Sequence, residues 1–329
     1  LANHGLTLDL SIPAKQFTGG FGNLNYLVHV NGQPHVLRRP PLGEVPRGAN
    51  DMAREHRVLA ALHEAFPLAP RSVHYCPDPG PIGAHFQLLE YREGLIIGPE
   101  MPPGVNSAEA GPGLSHMLVR VLASLHAIDA EETGLGNLGR PEGFLHRASQ
   151  GWAQRAAAVT PEVDRTIIAE LSRWLTRNEP PQRDATLLHC DFKLDNLILA
   201  PKTLKPRAVL DWDMATRGDP LFDLGTLLSY WVEAEDPPAM HELKQMPTAL
   251  PGFSRRAQIM AEYSRLTGRD LSDFLFYRVL TLFKLGVVFH QLHARFRSSA
   301  TADPRFAAFG ALASGILDFA HGVMKGRNT

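Results

Sequence analysis

The chain has 329 residues, 44% of them hydrophobic, with a formal charge of −1. That length supports two domains or one two-lobed domain with a sizeable core, and near-neutrality leaves no basic footprint for nucleic acid or an anionic membrane. Two cysteines, Cys76 and Cys190, make no disulfide framework and fit a reducing compartment.

The opening residues lack the basic-then-apolar pattern of a signal peptide, and a start without Met reads as a trimmed N-terminus. A cytoplasmic location is expected. Phe17 to Asn25 holds Gly19, Gly20, Gly22 and Asn23 before a β-rich run, Tyr26 to Val30. Glycines there let backbone N–H groups approach phosphate oxygens, although a plain turn explains them too. His35 to Arg38 is the next strand, placing Val36 and Arg38 on one face. Met52, His56, Leu59 and Leu62 approximate one face of a helix over 53–64, and Glu55 falls early on it. Ser72 to Cys76 and His85 to Tyr91 form a hairpin around Pro77–Gly80, ending near Glu90, Arg92 and Gly94. Residues 97–113 are rich in Pro and Gly and read as loop.

Leu114 to Ile128 reads as a core helix, with His126 a packed histidine. Helices over 151–159 and 161–178 look structural, and Pro180 and Pro181 close that segment. After Asp211, Gly218-Asp219-Pro220 opens a helix through Leu221, Leu224, Leu227 and Leu228 that carries Asp223. Helices follow over 254–267 and 271–297. The greasiest stretch, Val279 to Phe289, is interrupted by Lys284 and is too short to span a bilayer. His290 and His293 lie three apart on that helix, but no carboxylate follows at zinc-ligand spacing.

The chemistry concentrates in 186–213. Leu187 and Leu188 enter a loop, and Leu197 to Leu199 leave it. Between them stand Asp191 and Asn196; a second apolar run, Ala208 to Leu210, delivers Asp211. This reads as a small hairpin projecting three oxygen-bearing side chains. Asp and Asn oxygens suit Mg²⁺, which takes one or two protein groups plus phosphate oxygens. A carboxylate the metal does not need is available as a proton acceptor.

His189-Cys190-Asp191-Phe192-Lys193-Leu194-Asp195-Asn196 resembles the protein-kinase catalytic loop H-R-D-x-x-x-x-N, and Leu210-Asp211-Trp212 stands where D-F-G would. The wording is closer to aminoglycoside and choline phosphotransferases, whose loop usually reads His-Gly-Asp; Cys190 departs from that Gly. The resemblance covers nearly the whole chain. It implies an α+β, bilobal protein-kinase-like fold: a small antiparallel β lobe with one main helix (1–93), and a larger mainly helical lobe (94–329) with the catalytic loop and acceptor pocket.

It also implies an ATP-dependent phosphotransferase acting on an alcohol group, with GTP as the alternative donor. Asp191 is then the base and Lys193 neutralises the travelling phosphate. Asn196 and Asp211 hold Mg²⁺. Gly19, Gly20, Gly22, Asn23 and Arg38 bind phosphates, with Arg38 (Arg39 competing) in the usual Lys position and paired with Glu55. Backbone groups near Glu90 and Arg92 meet the adenine. Asp223 accepts hydrogen bonds from the catalytic-loop backbone. The stretch from Asp211 to Asp223 is too short for a peptide-docking activation segment, so the acceptor is a small molecule. Tyr263 to Asp273 and the helix after it look like the branch elsewhere fused to acyl-CoA dehydrogenases, although residues 1–329 show no dehydrogenase domain. An aminoglycoside-like amine, an amino alcohol, a sugar and a hydroxyacyl-CoA are the candidate acceptors. Arg255, Arg256, Arg265 and Arg269 either meet a CoA phosphate or are solvated helix faces, and Glu233, Glu235 and Asp236 either attract a cation or form an exposed helix end. A non-catalytic kinase-like ligand-binding module and a His-based metal hydrolase are the alternatives.

Overall fold

The structure is a computed structural model describing residues 5–17, 22–41, 50–298 and 304–327. Along the chain run β1 (Lys15–Gln16), β2 (Leu24–Val30), β3 (Gln33–Arg39), α1 (Met52–Ala65), β4 (Ser72–Cys76) and β5 (Phe86–Glu90). Then come α2 (Ser107–His126), α3 (Phe144–Val159), α4 (Arg165–Arg177), β6 (Thr186–Leu188), β7 (Leu197–Leu199), β8 (Pro206–Val209) and β9 (Thr216–Gly218). The chain closes with α5 (Leu221–Tyr230), α6 (Pro238–Glu242), α7 (Arg256–Thr267), α8 (Phe274–Arg297) and α9 (Phe309–Met324). The architecture is mixed α+β. Two compact units emerge, and both are discontinuous in sequence: 1–96 with 128–138 and 196–215, and 97–127 with 139–195 and 216–329.

The first unit is built on an antiparallel sheet in the order β1-β2-β3-β5-β4. Asn31 and Gly32, both at positive φ (51° and 72°), close β2 onto β3 with Val30 opposite Gln33. Two consecutive positive-φ residues give the turn whose twist matches paired strands. Val28, Val30 and Leu88 form the sheet's buried cluster, packed by Leu6, Leu8, Tyr26, Leu37 and Val73. Asp51 caps α1 by accepting from Arg54 N–H (3.0 Å). The helix buries Met52, Glu55, Val58, Leu59 and Leu62, a stripe of helical period that includes one acid. The β7–β8 hairpin joins this unit through Val209 N–H to Leu68 O (2.8 Å) and a reciprocal Leu95–Leu199 bridge (2.8 Å each).

The second unit is organised on α8, where Phe276 through Val287 are all buried. It packs against α3, α4, α5 and α9. Every residue of α5 is buried. The two helices approach closely at Gly225, where an added Cβ would lie 3.1 Å from Thr281 and from Tyr277 O. Thr281 Oγ1 also donates to Gly225 O (2.9 Å). By length and mean hydropathy, Phe274–Arg297 and Phe306–Met324 are both long and apolar enough to cross a bilayer. The first reaches well beyond the apolar stretch over 279–289 read from sequence, and 78% of its window is buried, so the apolar side chains of α8 fill this unit's core.

Two helix starts and one whole helix are the main differences from the sequence expectation. Helix α2 starts at Ser107, inside the stretch read as loop, with Asn106 accepting from Ala108 N–H (2.9 Å). Gly111 and Pro112 are weak helix formers, but tertiary packing overrides them: an added Cβ at Gly111 would meet the Gly252–Phe253 backbone at 2.7 Å. Helix α3 starts at Phe144, seven residues before the expected 151, after Gly143 at φ 63°. Helix α9 was not expected at all; its glycines at 310, 315 and 322 weaken its propensity, and contact with α8 supplies the missing stability.

Candidate active site

In the first unit, the register sets Arg38 opposite Gln87 on adjacent strands. Arg38 is buried and donates from Nε to Glu55 Oε2 (2.8 Å). It also donates to Asn25 Oδ1 (3.3 Å) and forms an ion pair with Asp211. Burial works against the guanidinium's charge, but Glu55, Asp211 and Asp213 hold it above the ordinary arginine range. Glu55, 1% exposed, further accepts from Gln87 Nε2 (2.5 Å) and Trp212 N–H (3.2 Å). Arg39 takes other partners, the carbonyls of Pro40 (3.2 Å) and Ile82 (2.9 Å). Of the two arginines, the one beside Glu55 is Arg38.

Asp211 sits at φ 67°, just beyond β8, and Leu210 N–H donates to Asn196 O (2.7 Å). That bond ties the Asn196 and Asp211 stretches of the hairpin together. Asp213 accepts from Asn23 Nδ2 (3.3 Å), and Asn23 Oδ1 accepts from Asn50 Nδ2 (2.9 Å). Gly22 is described; Gly19 and Gly20 lie outside the described residues. Asn196, Asp211 and Asp213 present amide and carboxylate oxygens from one hairpin, a hard donor set that fits Mg²⁺ and leaves phosphate and water to complete its shell. Among the described residues, no three or more His, Cys, Asp or Glu side chains group as a metal site. His290 pairs with Asp164 (2.9 Å) and His293 with Phe306 O (3.1 Å).

Glu90 and Arg92 form a two-pronged pair (3.0 Å at each prong). Arg92 Nη1 also donates to Arg207 O (2.7 Å) and Pro67 O (2.5 Å). Burial raises the Glu90 carboxyl, but Arg92 and the Arg71 N–H hold it below the usual range. Both side chains therefore knit this unit together.

In the second unit, β6 delivers His189, Cys190 and Asp191. Cys190 adopts φ 67°, a left-handed conformation costing an L-residue about 1–2 kcal/mol. Three bonds hold it there. Asp223 accepts from His189 N–H (2.6 Å) and Cys190 N–H (2.8 Å), and Lys284 Nζ donates to Cys190 O (2.6 Å). Asp223 lies in the first turn of α5, where the helix dipole favours a carboxylate. It also meets His126 Nε2 at 3.4 Å, and His126 Nδ1 lies 2.7 Å from Tyr263 Oη.

Asp191 accepts from the Tyr230 hydroxyl at Oδ1 (3.0 Å). Lys193 Nζ lies 3.7 Å from Asp191, 3.2 Å from Asp195 and 3.3 Å from Gln245 Oε1, and 5.0 Å from the centre of the Tyr230 ring. Burial pushes the ammonium's pKa down, but Asp191, Tyr230 and Asp195 hold it above the ordinary lysine range. Lys193 is therefore a fixed positive charge beside Asp191.

The acidic stretch after α5 is occupied internally. Arg256 is buried and grips Asp236 with two bonds of 2.6 Å, while its backbone N–H donates to Glu233 (2.5 Å). Glu235 pairs with exposed Arg255 (3.0 Å), and Arg265 pairs with Glu262 (2.7 Å). Arg256 is thus neither a solvated face nor an available phosphate ligand.

Four side chains in these clusters escape a sequence reading: Gln87, Asp213, Tyr230 and Lys284. Tyr230 left a usable signal, since it falls two helical turns after Asp223 and so on the same face. Lys284 left one also, as the lone charge in the apolar stretch over 279–289.

Asp223 makes the loop's stability pH-dependent. Burial raises its carboxyl, but the His126 hydrogen bond, the charges of His126 and His189 and the His189 N–H more than offset this and hold it below its ordinary value. A depressed carboxyl stabilises the fold fully above the unfolded value of about 3.9, and that contribution is lost as pH falls through the folded value. Asp223→Asn is expected to cost about 1–3 kcal/mol at neutral pH, because an amide oxygen serves one N–H and its NH₂ faces the other. Urea unfolding at stepped pH checks this. The wild type is expected to lose stability below about pH 4, the variant less steeply; identical slopes would remove Asp223 from the account.

The fold is that of the kinase-like phosphotransferases. The sequence profile of the phosphotransferase enzyme family (APH) matches residues 13–266, and the chain belongs to that family. It is 29% identical over 308 residues to acyl-CoA dehydrogenase family member 11 of Gallus gallus, covering 90% of this chain and 39% of that protein. The chain therefore spans about two-fifths of that curated relative's length. A crystal structure of a candidate aminoglycoside phosphotransferase from Ralstonia eutropha JMP134 superposes with a TM-score of 0.80 at 25% identity, over 98% of this chain and 94% of that one. A thermostable mutant of aminoglycoside phosphotransferase APH(4)-Ia, in ternary complex with ADP and hygromycin B, shares the fold with a TM-score of 0.62 at 15% identity, over 98% and 96% of the two chains.

Proposed function

We propose that this chain transfers the terminal phosphoryl group of ATP to a hydroxyl of a small acceptor. The observation that carries the proposal is the Asp191 cluster: a carboxylate beside a fixed ammonium, on a loop held through both the N–H and the carbonyl of Cys190. In this reading Asp191 takes the proton of the acceptor hydroxyl. The hydroxyl oxygen forms the new bond to phosphorus, the bond to the bridging oxygen breaks, and ADP leaves. Phosphoryl transfer needs positioning and charge neutralisation more than covalent chemistry. Lys193 supplies positive charge against the charge that develops in transfer.

Asn196 and Asp211 are the residues that would hold Mg²⁺, which when bound supplies charge neutralisation on the phosphates. Arg38, kept oriented by Glu55, is assigned to the phosphates together with Gly19, Gly20, Gly22 and Asn23. Backbone groups around Glu90 and Arg92 are assigned to the base, a mode of recognition that admits GTP as well as ATP. ADP in the APH(4)-Ia complex supports nucleotide use. Hygromycin B there supports an aminoglycoside-like acceptor, and the acyl-CoA dehydrogenase relatives support a hydroxyacyl-CoA. An amino alcohol and a sugar complete the set, and a cytoplasmic location fits all of them.

The test is a screen of aminoglycosides, amino alcohols, sugars and hydroxyacyl-CoA esters for acceptor-stimulated ADP release with and without magnesium. Release that requires both acceptor and magnesium is expected for one class. Nucleotide binding without acceptor-stimulated turnover on any class would favour a binding module instead.

A further inference from the structure

We propose that Tyr230 is the positioning residue for Asp191, holding the carboxylate and its neighbouring ammonium in register through two different parts of one side chain. The proposal rests on the phosphotransfer reading above. Tyr230 is the last residue of α5, 39 residues along the chain from Asp191. Its hydroxyl donates to Asp191 Oδ1 at 3.0 Å, and its ring face lies 5.0 Å from Lys193 Nζ. A hydrogen bond to a charged carboxylate is stronger than a neutral one, and an ammonium over an aromatic face is attracted by the ring's quadrupole. Tyr230 is buried on a helix whose every residue is buried, so both contacts come from a rigid element.

The same helix anchors the loop by a second route. Asp223, two turns earlier on that face, holds the N–H groups of His189 and Cys190. One helix therefore fixes both the backbone that carries Asp191 and the direction of its carboxylate. Burial and the Asp191 charge push the Tyr230 phenol well above its ordinary pKa, so it stays a protonated donor. Other charged or titratable groups around Asp191 include Lys193 and Asp195 on its own loop, His189, whose Nδ1 lies 3.3 Å from Asp191 N, and Lys284 from α8 on the Cys190 carbonyl. Tyr230 donates to the carboxylate from a separate helix at hydrogen-bond distance.

The two contacts separate by mutation. Tyr230→Phe removes the hydroxyl and keeps the ring beside Lys193; Tyr230→Leu removes both. Losing a donor to a carboxylate destabilises its ionised form and raises its pKa. The acid limb of kcat/KM in Tyr230→Phe is therefore expected to move to higher pH, and kcat to fall about tenfold or more with acceptor KM within about twofold. Tyr230→Leu is expected to lose a further severalfold. A Tyr230→Phe enzyme with wild-type kcat and a wild-type acid limb overturns the proposal.

A second measurement needs no acceptor. In protein carrying ¹³C-carboxyl aspartate, the Asp191 signal, assigned by its loss in Asp191→Asn, is expected to titrate at higher pH in Tyr230→Phe than in wild type. Equal titration overturns the proposal. This separates the two readings: absent turnover on every acceptor counts against phosphotransfer, while the titration still decides the role of Tyr230.

Discussion

Asp191→Asn is expected to lower acceptor turnover by about 10²- to 10⁴-fold, the range general-base assistance supplies. The substitution keeps the side chain's size and still offers an oxygen to the Tyr230 hydroxyl, so the local packing survives. What it removes is the proton acceptor. Affinity for Mg·AMP-PNP, measured by calorimetry, is expected to stay within about twofold of wild type, because the residues assigned to nucleotide and metal, Arg38, Asn196 and Asp211, are untouched. Asp211→Ala is expected to give the complementary result, weakened magnesium-dependent nucleotide binding. Turnover of Asp191→Asn near the wild-type rate would remove Asp191 from the base role proposed for it.

Glu55→Ala is expected to cost about 3–5 kcal/mol of stability, the largest structural effect of any single change discussed above. Glu55 is 1% exposed and satisfies three donors at once: Arg38 Nε, Gln87 Nε2 and Trp212 N–H. Truncation leaves a buried guanidinium short of one partner and takes the carboxylate acceptor from two neutral donors. The double variant Arg38→Met/Glu55→Leu removes both charges and is expected to recover much of the loss, since buried pairs replaced by apolar residues of similar volume are often neutral or better. Nucleotide affinity is expected to fall in both variants. That contrast separates a pair kept for phosphate chemistry from one kept for stability. A Glu55→Ala urea midpoint equal to wild type would contradict the buried network.

Much of this arrangement is written locally in the chain. Strand alternation brings Val36 and Arg38 to one face, the helical stripe of α1 carries Glu55, and the linked His-Cys-Asp and Leu-Asp-Trp segments mark the loop and hairpin. Those readings work because each depends on neighbours a few residues away. What stays hidden depends on tertiary register. Gln87 reaches Glu55 only because β5 pairs with β3 in a particular alignment. Lys284 interrupts an apolar run and reads there as a break in a greasy helix, whereas in the fold it is a buried donor to Cys190 O. Arg256 reads as a surface charge until Asp236 is found against it. Cys190, where the family's usual glycine would make φ 67° easy, shows the same dependence: the conformation is imposed by Asp223 and Lys284, which lie 33 and 94 residues away.

The most direct test of the phosphotransfer account is an experimental structure of the chain with magnesium and AMP-PNP. The account predicts a magnesium ion on the side-chain oxygens of Asn196 and Asp211, with Asp191 facing the γ-phosphate. A nucleotide bound without either magnesium ligand, or with its γ-phosphate remote from Asp191, would contradict it.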